Sequence, residues 1–286
     1  MLKVLLVLLV GVPLCIWALR RFETAITFHP MRYVEGENWR LAGGAEDVWF
    51  RSADGVRLHG WFVRAPAQPP LATIIYFHGN GGNLTTVDWI AERYAARGFD
   101  VLLFDYRGYG RSEGRVSSER EIYADANAAY QYVVGERGVD PARVVLYGQS
   151  LGTTAAVDVA SREACGAMVL ESGLSSARDM AGVVLPWLPR WTHRMTRNRF
   201  ESARKLANVH CPVLITHGAR DSIIPVEQGR ALYNAAREPK RLIILPNADH
   251  NDLSSVGGEE YLNTVAEFIR QSIPTQEQSH KTNPSQ

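Results

Sequence analysis

A serine, an aspartate and a histidine each stand where acyl-transfer chemistry would need them. Ser150 is the centre of Gly148-Gln149-Ser150-Leu151-Gly152, directly after the apolar run RVVLY. Asp221 follows PVLITHG, and His250 follows RLIILP within NADHND. A serine hydroxyl is a weak nucleophile at neutral pH and needs a base within hydrogen-bond reach. Histidine titrates near neutrality, and a carboxylate can fix its tautomer and stabilise the imidazolium. The chain order nucleophile, acid, base is the one that accompanies a serine on a strand-to-helix turn. The pentapeptide alone carries little, since it arises by chance in roughly one chain of this length in ten. Taken singly, Asp221 could cap a turn before Ser222, and His250 could be one polar loop residue among others. Three such residues beyond three strands, in that order, leave coincidence a small share.

The oxyanion of an acyl-transfer intermediate is commonly held by backbone N–H groups. Leu151, after the nucleophile, supplies one position. The segment HGNGGN, 78–83, supplies the other, with Asn80 preferred over Gly81. A phosphate-binding loop would carry Gly-Lys-Ser/Thr, which the sequence lacks. Asp249 and Asp252 flank His250, but adjacency along the chain does not aim a carboxylate at its neighbour's ring. His78 and His217 each precede a glycine at a strand end and read as structural hydrogen-bonders.

These residues must be carried by a scaffold that gathers strand ends. VWFRSADG and VRLHGWFVR read as a hairpin turning at Asp54-Gly55. TIIYFHG, DVLLFDYRG, RVVLYGQS, AMVLES, PVLITHG and RLIILP read as short apolar strands. Between several of them lie helical stretches such as TTVDWIAERYAARG, which Gly98 ends. Strand–helix alternation means a mostly parallel sheet covered on both faces, an α/β architecture. Ligands of such sheets bind beyond the carboxyl ends of the strands, where the three residues fall.

At 286 residues, with 46% hydrophobic and 21% charged residues, the chain has the composition of an ordinary globular enzyme. A net charge of +1 gives no field that would draw nucleic acid. Three cysteines make no disulfide framework, and Cys165 and Cys211 are expected as two free buried thiols. From Val4 to Leu19 the chain is uncharged and apolar, with Lys3 before it and Arg20-Arg21 after. Without a small-x-small cleavage site, it reads as an uncleaved single-pass membrane anchor over 1–21. The flanking charges leave its orientation open. A connecting segment over 22–44, a catalytic domain over 45–273 and a disordered polar tail over 274–286 complete the expected organisation.

The segments IIYFHGNGGN, LLFDYRGYGRSEG, VVLYGQSLGTTAA, CPVLITHGARDSIIP and NADHND resemble those of the α/β-hydrolases. Within that superfamily the chain resembles the BEM46-like membrane-anchored serine hydrolases. The likeness runs from about Val48 to Ile269 and extends to the N-terminal apolar segment. It implies the α/β-hydrolase fold, Ser150, Asp221 and His250 as a triad, and Asn80 and Leu151 as oxyanion-hole positions. It also makes DYRGYGRSEG a shaping loop, in which Asp105 and Arg107 are structural partners.

A long insertion, about 172–210, follows AMVLES and is placed to cap the nucleophile. Its apolar stretch VVLPWLPRW suggests that Leu185, Trp187, Leu188 and Trp191 line an acyl-chain pocket or touch the bilayer. The arginines Arg190, Arg194, Arg197 and Arg199 could meet anionic groups. A small cap helix with inward tryptophans is an equal reading. The function expected is hydrolysis of carboxylic esters or thioesters of lipid-like or acylated substrates through an acyl-enzyme. It requires no metal and no organic cofactor. A peptidase of the same fold and a catalytically silent membrane-tethered binding protein are the alternatives.

Overall fold

The computed structural model describes residues 7–36, 39, 44–187, 189, 191–194 and 196–274. Its centre is an eight-stranded sheet built from strands that the apolar runs form. In chain order these are β2 (Glu46–Arg51), β3 (Arg57–Val63), β4 (Ala72–Phe77) and β6 (Phe99–Phe104). They continue with β7 (Val144–Gln149), β8 (Ala167–Glu171), β9 (Val213–Gly218) and β10 (Lys240–Leu245). The spatial order is β10-β9-β8-β7-β4-β6-β3-β2. The pairs from β10 through β6 are parallel, whereas β3 joins β6 antiparallel and β2 closes the hairpin on β3. Two further strands, β1 (His29–Pro30) and β5 (Gly81–Gly82), pair parallel to each other outside the main sheet.

The central strands β4, β6, β7, β8 and β9 are buried along almost their whole length because helices cover both faces. Successive side chains point to opposite faces, so Ile75 and Phe77 join one core while Ile74 and Tyr76 join the other. The helix after β7 spans Gly152–Ala160 and is buried throughout. Its sequence GTTAAVDVA is small-residued, which lets it lie close against the sheet. The helix Glu119–Gln131 starts in a capping box, with Ser118 and Glu121 satisfying each other's orphan amides. Cys165 and Cys211, on segments leading into adjacent strands β8 and β9, bring their sulfurs within 2.8 Å as free, half-buried thiols.

The N-terminus departs from the sequence expectation. A short π-helical turn, Val7–Gly11, leads into an α-helix over Val12–Thr27 that carries Arg20, Arg21 and Glu23. Among the described residues no helix is long and apolar enough to cross a membrane, which overturns the single-pass anchor. The physical reason is length: sixteen apolar residues span roughly 24 Å of helix, short of the hydrocarbon thickness. Nor does the chain break after Arg21, since the helix runs on through Thr27, whose carbonyl accepts the Asn80 side chain. The expected polar tail falls, from residue 275, outside the described residues.

Candidate active site

Ser150 sits at the turn between β7 and the helix Gly152–Ala160, with φ of 52°. That left-handed conformation costs about 1–2 kcal/mol for a residue other than glycine. Its neighbours must be glycines because the strand and helix nearly touch there. A Cβ on Gly148 would stand 2.5 Å from the Gly152 carbonyl oxygen, and one on Gly152 would stand 1.9 Å from that of Phe77. The Ser150 amide donates to the Glu171 carbonyl of β8 at 2.9 Å, which pins the turn.

Asp221 and His250 reach Ser150 from the loops after β9 and β10. Ser150 Oγ lies 2.9 Å from His250 Nε2, and His250 Nδ1 lies 2.8 Å from Asp221 Oδ2. A carboxylate facing Nδ1 makes that nitrogen the donor, leaving Nε2 to accept the serine proton. Asp221 Oδ1 accepts the amides of Ile223 and Ile224 at 3.0 and 2.7 Å. His217 Nε2 stands 3.1 Å from Asp221 Oδ2 and 2.8 Å from the Ile224 carbonyl, two acceptors that make it a shared donor. Burial would raise the Asp221 carboxyl, but the bonds from His217, His250 and the Ile224 amide hold it well below the usual carboxylate range. Asp221 is therefore a carboxylate at neutral pH.

Asp249 does not face the imidazole. Its Oδ1 accepts the amides of Ser222 and His250, both at 2.7 Å, so it braces the Asp221 loop against the His250 loop. Ser172, with φ of 48°, adds a bond from its hydroxyl to the His250 carbonyl at 3.2 Å. Nothing in the sequence pattern marks Ser172. Asp249 is visible there only as an acidic neighbour.

Asn80 lies between β4 and β5, on a loop held from three sides. Its side-chain amide donates to the Thr27 carbonyl at 2.9 Å. Its own carbonyl accepts the His29 amide at 3.2 Å and the Tyr109 hydroxyl at 2.8 Å. Among the described residues neither the Asn80 nor the Leu151 amide donates to a backbone acceptor. Gly79 brings this loop alongside the nucleophile, where a Cβ would be 3.5 Å from Ser150 Cβ.

A cleft of about 720 Å³ opens over Ser150, Leu151, His250 and Asn80. Its apolar lining comes from Leu174, Phe200, Ile223 and Ile224 and from one face of the helix Ala177–Val184. Ala177, Met180, Ala181, Val184 and the following Leu185 contribute that face, at spacings of three, four, seven and eight residues. This stripe in ARDMAGVVL has helical spacing in the sequence itself, where the aromatic stretch beyond it draws the eye instead. Of the pocket residues expected there, Leu185 lines the cleft, while Trp187 and Trp191 do not and are 73% and 66% exposed. The helix ends at Val184, before Pro186. Leu188 lies outside the described residues, as do Arg190 and the side chain of Arg194. Glu23, Ile26, Thr27 and Met31 also line the cleft, a contribution the sequence did not signal.

Behind the cleft, Arg107 pairs with Asp125 and Asp54, and its burial beside Asp125 makes it a fixed brace. Asp105 accepts the Leu84 amide at 3.0 Å and lies 3.7 Å from His78 Nε2. Burial pushes the Asp105 carboxyl well above its ordinary value and pulls the His78 imidazole down to about 4. Burial thus works against the charged form of both groups.

A family model described as serine aminopeptidase S33 (Hydrolase_4) matches residues 68–205. The uncharacterised protein Rv2307c of Mycobacterium tuberculosis is 35% identical over 91% of this chain and 90% of its own. The α/β-hydrolase domain-containing protein WAV2 of Arabidopsis thaliana is 32% identical over 80% of each chain. Among solved structures, the Pyrococcus furiosus esterase Pf2001 superposes with a TM-score of 0.71 at 22% identity, over 87% of this chain and 98% of that one. That last likeness is one of fold.

Proposed function

This chain belongs to the α/β-hydrolase superfamily, and from that premise we propose that it is a serine hydrolase cleaving carboxylic esters or thioesters with an apolar acyl group. In this reading His250 Nε2 takes the Ser150 proton as Oγ attacks the acyl carbon. Asp221, held ionised, keeps the proton on Nδ1 and stabilises the imidazolium that forms. The amides of Asn80 and Leu151 receive the oxyanion. The imidazolium then protonates the leaving oxygen or sulfur. Water, activated by the same nitrogen, hydrolyses the acyl-enzyme and returns Ser150 to its starting state. Within the superfamily we read the chain beside the BEM46-like group on its motif segments.

The observation that carries this reading is the continuous chain from Asp221 through His250 to a conformationally strained Ser150, at 2.8 and 2.9 Å. The apolar acyl preference rests on the cleft's lining of Met180, Val184, Leu185 and Ile224. A peptidase reading draws on the family model's description. An aminopeptidase must also hold a free α-amine, and Glu23, the acidic side chain of the cleft, has its oxygens occupied by the Arg197 and Asn198 amides and the Asn198 side chain. The ester reading is accordingly preferred.

Covalent labelling by a fluorophosphonate tests the assignment. Wild type should label and hydrolyse short p-nitrophenyl esters, and Ser150→Ala should do neither while keeping its melting temperature. Equal labelling of both proteins would remove Ser150 from the mechanism.

A further inference from the structure

We propose that residues Glu23 to Met31 form a specificity-determining wall of the acyl site, latched to the cap through Glu23. The N-terminal helix and the cap would then together set which acyl-chain lengths the cleft accepts. This deepens the ester-hydrolase reading, and its turnover measurements rest on that reading.

Three independent ties carry it. The first is at the cap. Glu23 accepts the Arg197 and Asn198 backbone amides at 3.0 and 2.8 Å, and the Asn198 side-chain amide at 3.0 Å. A carboxylate taking two consecutive amides makes charge-assisted bonds, stronger than neutral ones. Asn198 in turn accepts the Glu119 amide at 2.7 Å, so the latch ends on the body of the fold. The second tie is apolar: Phe28, directly after the helix, is buried and meets Phe200 edge-on with ring centroids 6.3 Å apart.

The third tie is at the oxyanion loop. Thr27 accepts the Asn80 side chain, β1 pairs with β5, and the Met31 amide donates to the Gly82 carbonyl at 3.4 Å. Between these fixed points Ile26, Thr27 and Met31 line the same cleft as Met180 and Val184 of the cap helix. Ile26 is half-exposed, so its side chain meets whatever occupies the cleft. Glu23 and Ile26 are positioning and lining residues respectively; neither reaches the reacting atoms.

The test uses the full chain and two readouts. Calorimetric binding of straight-chain monocarboxylates, butyrate to decanoate, reports the wall whether or not turnover occurs. Hydrolysis of p-nitrophenyl esters of the same acids reports it in kcat/KM. Ile26→Trp should weaken decanoate binding and decanoyl-ester kcat/KM on the order of tenfold, through the methylene burial it denies. Butyrate and the butyryl ester should lose less than decanoate and its ester. Ile26→Ala should move the optimum to longer chains. Glu23→Ala should raise KM for the decanoyl ester more than for the butyryl ester.

An unchanged chain-length profile in the Ile26 variants would overturn the wall, as would loss at all lengths together. Equal binding of every acid by wild type would overturn it as well. If Ile26→Trp does not fold, Ile26→Ala decides. A wild type that discriminates acids by length but cleaves no ester would remove the hydrolase reading and leave the wall standing.

Discussion

His250 with Asp221 and His78 with Asp105 are both imidazole–carboxylate neighbours just beyond strand ends, and their surroundings shift the two carboxyls in opposite directions. Asp221 takes two backbone amides and two imidazole nitrogens, and its carboxyl is held low. Asp105 has one amide donor, from Leu84, and burial drives its carboxyl up. His78 spends Nδ1 on the Gly79 carbonyl at 2.7 Å, and its Nε2, 3.7 Å from Asp105, has no hydrogen-bond partner among the described residues. A neighbouring histidine therefore does not make an aspartate a catalytic acid. The count of donors on the carboxylate decides whether it can stay charged inside the protein.

The sharpest way to break this contrast is to neutralise each aspartate. Asp221→Asn should lower kcat by about 10⁴, as loss of the correct imidazole tautomer does in triads generally, with KM little changed. Asp105→Asn replaces a carboxyl that burial pushes toward its neutral form by an amide of the same shape, and kcat should remain within about threefold of wild type. Equal losses in the two variants would mean that the pairs are not of different kinds.

Acid unfolding separates them next. His78 titrates near 6.5 in the unfolded chain and at about 4 when folded. Its contribution to stability is thus whole above 6.5 and is eroded as the pH falls toward 4, by roughly 3 kcal/mol at most. Asp105, raised in the folded state, runs the other way: its contribution is whole below about 3.8 and is lost as the pH rises. The two slopes oppose each other in wild type. Denaturant titrations of Asp105→Asn at pH 7 and 4.5 should therefore show the His78 loss uncovered, and a flat profile would contradict a His78 that is neutral when folded. Asp221, lowered in the folded state, supports stability above about 3.8 and loses that support as the pH falls below it.

A smaller loss than that of Asp221→Asn belongs to His217. His217→Phe removes one donor from Asp221 without touching His250, and the carboxyl should rise. We expect about a tenfold loss in kcat with the acidic limb of the pH–rate profile moved upward. A loss in kcat without movement of that limb would assign His217 to packing alone.

Much of this is legible along the chain. RVVLYGQSLG carries its own turn, because glycines on both sides of a serine after an apolar run admit a strained strand-to-helix crossing. Asp221 and His250 declare themselves by following PVLITHG and RLIILP. The anchor fails, because VLLVLLVGVPLCIWAL is apolar like a membrane span but too short to be one, and its helix continues through Arg20 and Glu23. Trp187 and Trp191 mislead for a related reason: hydrophobicity marks what a residue tolerates, not the direction in which two prolines send it.

The sequence by itself determined the elements and the order of the chemical groups, since both follow from neighbours a few residues apart through strand alternation, helical spacing and glycine's conformational range. Only the tertiary structure decided that Asp249 braces the Asp221 loop instead of facing His250, that burial pushes the Asp105 carboxyl up while Asp221 is held low, and that Glu23 reaches residues 197 and 198. Each of those outcomes depends on donors and burial brought together from distant parts of the chain, and no local pattern encodes such a meeting.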